Sequence, residues 1–262
     1  DRRAAGMGPR TSNFYLGAAK EFARWLVRDG RIDRDPFTHL KGVNVAVDIR
    51  RLRRPYTEDE LGRLMDAARK GIPFRGISGP DRAILYATAA YTGLRAAEIA
   101  SLTGASLDLG ASPPTVHVAA AYSKHRREDS LPLPPFLVDL LRPLAASRLP
   151  SASLWPGTWA ERAFDMIQED LARAGIPYKD TGGRFLDFHA LRHGFITNLA
   201  RRGVPLPIIQ RLARHSDIQL TMAYYTHLDI LDAARGIEAL PPPAELKAPK
   251  APIAACEAGP SG

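Results

Sequence analysis

The chain has 262 residues, about 45% hydrophobic and 24% charged, with one cysteine and a formal net charge of +8. That length holds one large domain, or one domain with part of another. The lone Cys256 excludes an intrachain disulfide framework and thiolate metal sites, and it fits a reducing cytoplasm; no apolar run nears the roughly 18 to 20 residues of a membrane-spanning helix. The opening residues, DRRAAGMGPR, lack the apolar core of a signal peptide. The positive surplus suits a polyanion, because neutralised phosphates release condensed counterions. On charge alone, a nucleic-acid partner and a basic soluble protein without one are equally good readings.

In SNFYLGAAKEFARWLVRDG, Phe14, Ala18, Phe22, Trp25 and Leu26 share one helical face, and Gly30 is a natural stop. A short second helix is expected from Pro36 to Leu40, before Gly42. Two helices with so aromatic a stripe cannot close a core unaided. They read as the end of a helical domain whose beginning is missing, or as a patch that docks on something. Val43 to Pro55 reads as a linker carrying Arg50, Arg51, Arg53 and Arg54, suited to a phosphate backbone or to plain solvation. Thr57 and Glu60 then have the capping-box spacing that opens a new helical unit.

Asp81 to Tyr91 is an alanine-rich buried helix that breaks at Gly93, and Arg95 to Leu102 restarts it. TVHVAAAYSKHRREDSLPLP is the clearest β signal, a hairpin with Val116 and Val118 alternating. Helices follow near Pro135–Ala146 and Trp159–Ala174, then a glycine-containing loop, then two or three helices between His189 and Leu231. From Pro241 the composition turns to proline, alanine and lysine, the mark of a disordered tail.

Four segments carry candidate chemistry. In YTGLRAAEI, Arg95 stands at the first turn of a helix, where free N–H groups favour an anion, and Glu98 is three residues on. The plainer reading is a surface ion pair. In DFHALRHGFITNLARRG, Asp187 is a plausible N-cap, Gly203 a plausible stop, and Leu191, Phe195 and Leu199 form the core stripe. His189 and Arg192 leave a flank together, a proton acceptor beside a bidentate phosphate clamp. His189 and His193 also have zinc-binding spacing, but the zincin pattern needs glutamate where Ala190 stands.

In VPLPIIQRLARHSDIQLTMAYYTHL, a short apolar helix precedes His215, and Ser216 and Gln219 have capping-box spacing for the next helix. Helix, turn, helix is also the outline of a DNA reader, though such readers prefer glycine in the turn. Helical periodicity leaves both Tyr224 and Tyr225 as possible core residues. Lys124, the lone lysine between Gly71 and Tyr178, sits at the hairpin tip, solvated or turned into a groove as a proton donor.

Together, TGLRAAEI, YSKHRREDSLPL, HALRHGF, RHSDIQLT and YYTHL resemble the tyrosine recombinase (phage-type integrase) family. Their order covers roughly Tyr56 to Leu231. The resemblance implies a mainly α fold with a small antiparallel β-hairpin or sheet (α+β): a catalytic domain at 55–236, preceded at 1–54 by the remnant of a helical core-binding domain and its basic linker, with a tail at 237–262. It implies an active site of Arg95, Lys124, His189, Arg192, His215 and Tyr225, without cofactor or metal. The pattern sets the nucleophile before a small polar residue and histidine, here YTH, while the shorter spacing from the HS histidine keeps Tyr224 as the alternative.

It further implies a cytoplasmic enzyme that cuts and rejoins double-stranded DNA through a 3′-phosphotyrosine link, as a homotetramer on paired sites, with no membrane and no small-molecule substrate. A non-catalytic helix-turn-helix-like DNA-binding regulator is the alternative. Arg214 departs from the pattern, standing where many relatives carry glycine before HS.

Overall fold

A computed structural model of the chain describes residues 6–45, 51–121 and 128–225, the last three as backbone. It divides into two compact units, Asp1–Gly194 and Phe195–Gly262. Lys124, His227 and the tail at 237–262 lie outside the described residues.

Helix α1 (Pro9–Arg28) presents the aromatic stripe read from its sequence, with Phe14, Tyr15, Phe22 and Trp25 all exposed. The expected second helix is a turn instead. Asp35 accepts a hydrogen bond from the Phe37 N–H at 2.8 Å, as a cap would, but the five mostly exposed residues before Gly42 are too few to propagate a helix from it. The chain then returns to α1, where the Asn13 carboxamide brackets Val43, accepting from its N–H and donating to its carbonyl, both at 2.8 Å.

The core of the first unit lies among α2 (Glu58–Lys70), α3 (Gly79–Thr92), α5 (Pro135–Ala146) and α6 (Ala163–Arg173). Thr57 and Glu60 form the expected reciprocal cap at the start of α2. Gly79 lets α3 start close under the end of α2, since a Cβ there would meet three backbone carbonyls at 2.5–2.7 Å. Trp155, Trp159, Tyr86, Leu85 and Leu137 are fully buried. Asp170 of α6 is also buried; it accepts from Arg82 at 2.7 and 3.0 Å, from Tyr86 at 2.7 Å and from Arg173 at 2.7 Å. Two further Arg82 bonds, to the Ile72 and Ala68 carbonyls, support this buried ion pair.

The hairpin is present as β2 (Thr115–Val118) and β3 (Asp129–Pro132), and a two-residue strand that the sequence does not announce, β1 (Leu107–Asp108), completes an antiparallel sheet of order β1-β2-β3. Val116, Val118 and Leu131 face inward, and the outward pair His117 and Ser130 hydrogen-bond across the strands at 2.7 Å.

Helix α4 (Ala96–Ala100) follows α3 after a tight turn, and α7 (Phe188–Arg201) contributes residues to both units. In the second unit, Ile196 and Ala200 of α7 pack with Ile209 and Ala213 of α8 (Leu206–Ala213), and α9 (Ile218–Tyr225) ends the described chain. Gly203 stops α7 in the left-handed conformation, as its position suggests. Among the described residues, no helix is long and apolar enough to cross a membrane.

Candidate active site

The turn between α3 and α4 organises the site in the first unit. Thr92 ends α3, Gly93 takes the left-handed conformation (φ 64°), and Arg95 caps α4. Glycine, having no Cβ, adopts that backbone most easily. Arg95 is not a surface ion pair. Its partner Glu98 is 1% exposed, accepting from the Arg95 backbone N–H at 2.7 Å and from its guanidinium at 3.0 Å. One buried carboxylate therefore fixes both the backbone and the head group of Arg95, whose side chain remains 26% exposed. At five residues, α4 is too short for a strong dipole, so the charge here is that of the guanidinium.

Arg192 reaches the same turn from α7, donating to the Gly93 carbonyl at 2.5 Å. It differs from the flank position expected for it: at 2% exposure it is buried, while His189, one turn earlier, is exposed. His189 is nonetheless held down to about 4, first by desolvation, then by the nearby guanidiniums of Arg53 and Arg192, with Asp187 opposing and Arg95 adding to the repulsion. Water at its exposed edge screens part of those charges. The ring is neutral at physiological pH and able to accept a proton.

Arg53 is a participant that the linker reading missed. Its guanidinium makes a bidentate pair with Asp187 at 2.8 Å, and the same carboxylate caps α7 by accepting from the Ala190 N–H at 3.0 Å. Arg54 pairs with Glu60 at 2.6 Å and Asp180 at 3.3 Å, and Arg51 donates to the Tyr178 hydroxyl at 2.7 Å. Arg53 and Arg54 are thus held by largely buried carboxylates, while Arg51 makes its bond at an exposed position. The sequence signal was the dense run of arginines; their partners, up to 134 residues away, carried none.

Two tyrosines of this unit are packing groups. Tyr56 and Tyr86 are buried, and burial pushes both phenols well above their ordinary range. Tyr56 donates to the Leu186 carbonyl at 3.2 Å, beneath the start of α7.

In the second unit, α8 ends on Arg214 in the left-handed conformation (φ 53°), the backbone that a glycine would take most easily. His215 follows, its Nδ1 2.9 Å from the Thr221 hydroxyl. The expected Ser216 cap of α9 is replaced by Asp217, which accepts from the Gln219 N–H at 2.9 Å. Asp217 lies directly before the helix, and its shorter reach to the second N–H wins. Tyr224 and Tyr225 form the last turn of α9 and are described as backbone. The candidates therefore fall into one cluster of Arg95, His189 and Arg192, a separate setting for His215, and Lys124 outside the described residues.

The phage integrase family model matches residues 55–230. The chain is 30% identical over 229 residues to tyrosine recombinase XerC of Azotobacter vinelandii, spanning 86% of this chain and 71% of that protein. It is 26% identical over 225 residues to a tyrosine recombinase of Thermosipho africanus, spanning 84% and 73%. Among solved structures, it resembles the Tn1549 transposon integrase in complex with a circular intermediate DNA (TM-score 0.66, 16% identity, 90% of this chain and 81% of that one). It also resembles XerH site-specific recombinase bound to a palindromic difH substrate (TM-score 0.66, 17% identity, 90% and 68%). The fold comes from the structures, and the sequence matches add the kinship: the chain belongs to the phage integrase family of tyrosine recombinases.

Proposed function

We propose that this DNA strand transferase performs site-specific recombination on double-stranded DNA through a 3′-phosphotyrosine intermediate, with Tyr225 as nucleophile. The observation that carries the reading is the meeting of Arg95, Arg192 and a neutral His189 around one turn, in a chain of this family. A phosphodiester under attack gathers charge on its nonbridging oxygens, and the two guanidiniums are suited to receive it.

The Tyr225 oxygen attacks phosphorus, the Tyr O–P bond forms, and the bond to the DNA 5′-oxygen breaks. A phenol with pKa near 10 is a poor nucleophile until its proton leaves. Neutral His189 accepts that proton, and the phosphodiester's own negative charge raises the ring's proton affinity once DNA is bound. Lys124 donates to the departing 5′-oxygen, and His215 hydrogen-bonds a phosphate oxygen. The covalent link stores the bond energy, so a second 5′-hydroxyl can reverse the steps on a new partner strand.

The catalytic domain spans 55–236, with 1–54 as the end of a core-binding domain and its linker and 237–262 as a tail. The enzyme acts in the cytoplasm as a homotetramer on paired sites. The regulator alternative is not favoured, because it leaves the buried Glu98 and the convergent guanidiniums without a task.

A nicked suicide DNA substrate tests this. The chain should form an SDS-resistant protein–DNA adduct that Tyr225→Phe abolishes. An adduct that survives in Tyr225→Phe and vanishes in Tyr224→Phe reassigns the nucleophile, and no adduct with any site DNA returns the chain to a binding role.

A further inference from the structure

Thr221 is fully buried on α9, between the exposed Leu220 and Met222. A buried hydroxyl needs a partner. Thr88 and Thr92 on α3 solve this within their own helix, donating to the carbonyl four residues earlier at 2.9 and 2.6 Å. Thr221 instead sets its Oγ1 2.9 Å from Nδ1 of His215, across the α8–α9 turn. The backbone beside that ring is also pinned. The His215 N–H donates to the Gln210 carbonyl at 3.0 Å, and the Gln210 side chain donates to the His215 carbonyl at 3.2 Å. Backbone and ring are therefore held from two sides, with Thr221 the hydroxyl at Nδ1.

We propose that Thr221 is a positioning residue that donates its hydroxyl proton to Nδ1 of His215 and thereby keeps the neutral imidazole in its Nε2–H tautomer. The hydrogen bond made by one ring nitrogen decides which form the other takes. A phosphate oxygen is only an acceptor, so Nε2 serves it only while carrying a proton. A carboxylate at this position would do the opposite, holding the proton on Nδ1 and leaving Nε2 as a base. A hydroxyl, able to donate, suits a histidine whose task is to donate in turn. The inference rests on the reading of His215 as a phosphate ligand, and its test separates the two.

The full chain, labelled with ¹⁵N in its histidine rings and studied at about pH 8, where an ordinary imidazole is neutral, reports each tautomer by its nitrogen shifts. The His215 signals are those lost in His215→Asn. Wild type and Thr221→Ser should hold the Nε2–H form. Thr221→Val, which keeps the branched shape and loses the hydroxyl, should populate the Nδ1–H form and slow adduct formation on the suicide substrate about 10-fold, short of the roughly 10²–10³-fold loss expected when a charge-stabilising donor is removed outright. Thr221→Ser should restore the rate. An Nδ1–H form in wild type, which needs no variant to observe, overturns the inference, as does an unchanged tautomer in Thr221→Val. A changed tautomer with an unchanged rate supports the role of Thr221 and instead removes His215 from the phosphate.

Discussion

Two arginines near the two ends of α3 show how alike charges take different work. Arg82 is 2% exposed and turns its donors onto Asp170 and two carbonyls, enclosed away from any ligand. Arg95, three residues beyond the end of the same helix, stands on an equally buried carboxylate but keeps 26% of its side chain open. Glu98 divides itself between the backbone and the guanidinium of Arg95, holding it without enclosing it. Burial of the acid is common to both, and between these two pairs the difference lies in the base, enclosed in Arg82 and partly open in Arg95.

The comparison predicts opposite responses to substitution. The largest effect belongs to Asp170→Ala, which leaves the buried Arg82 unpaired; it should lose about 3–5 kcal/mol of stability and lower Tm by roughly 10 °C, read by denaturant and thermal unfolding. The folded fraction should still form the DNA adduct. Arg95→Ala should weigh the other way: the rate of adduct formation falls about 10²–10³-fold, while the loss of stability stays smaller than in Asp170→Ala, because Glu98 keeps its bond from the backbone N–H of residue 95. Should Arg95→Ala instead unfold the chain and spare the rate per folded molecule, the distinction between the two arginines collapses.

Glu98→Gln is a smaller step, since the amide still accepts from the Arg95 N–H but no longer carries the charge that orients the guanidinium. About a 10-fold slower cleavage is expected, with KM little moved; a rate equal to wild type would show that Arg95 needs no carboxylate beneath it.

The smallest effect is the titration of His189. Its folded value lies below the ordinary 6.5, so the unfolded chain binds more protons as pH falls from about 6.5 toward 4, and stability falls across that window. NMR titration of the free protein should find a midpoint below 6.5, and substrate DNA should raise it. A midpoint at or above 6.5 without DNA would mean that neither burial nor the three arginines hold this ring neutral.

Local pattern made much of this legible. The Thr57–Glu60 cap, the break at Gly93, α5 at Pro135–Ala146 and the Asp187 cap of α7 all depend on residues within a few positions of one another. Elsewhere the reading slipped: Pro36–Leu40 is too short and exposed a run to continue from the cap-like bond at Asp35, and Asp217 displaced Ser216 as cap. The two-residue β1 offers no periodicity to detect. Long-range pairs were invisible for a different reason. Arg82–Asp170 and Arg53–Asp187 join residues 88 and 134 positions apart, and nothing in either neighbourhood names the other. The catalytic candidates were nameable because motifs in fixed order carry the family resemblance, whereas the burial of Arg192 on the Gly93 carbonyl required the fold.

The central claim is that a tyrosine at the end of α9 becomes covalently joined to DNA, and the bond itself can be located. Trapped adduct from the suicide substrate, digested to a short nucleotide remnant and peptides, is read by tandem mass spectrometry across the segment containing Tyr224 and Tyr225. The account predicts a 3′-nucleotide on the phenolic oxygen of Tyr225; a remnant on Tyr224, or on any residue outside this pair, contradicts it.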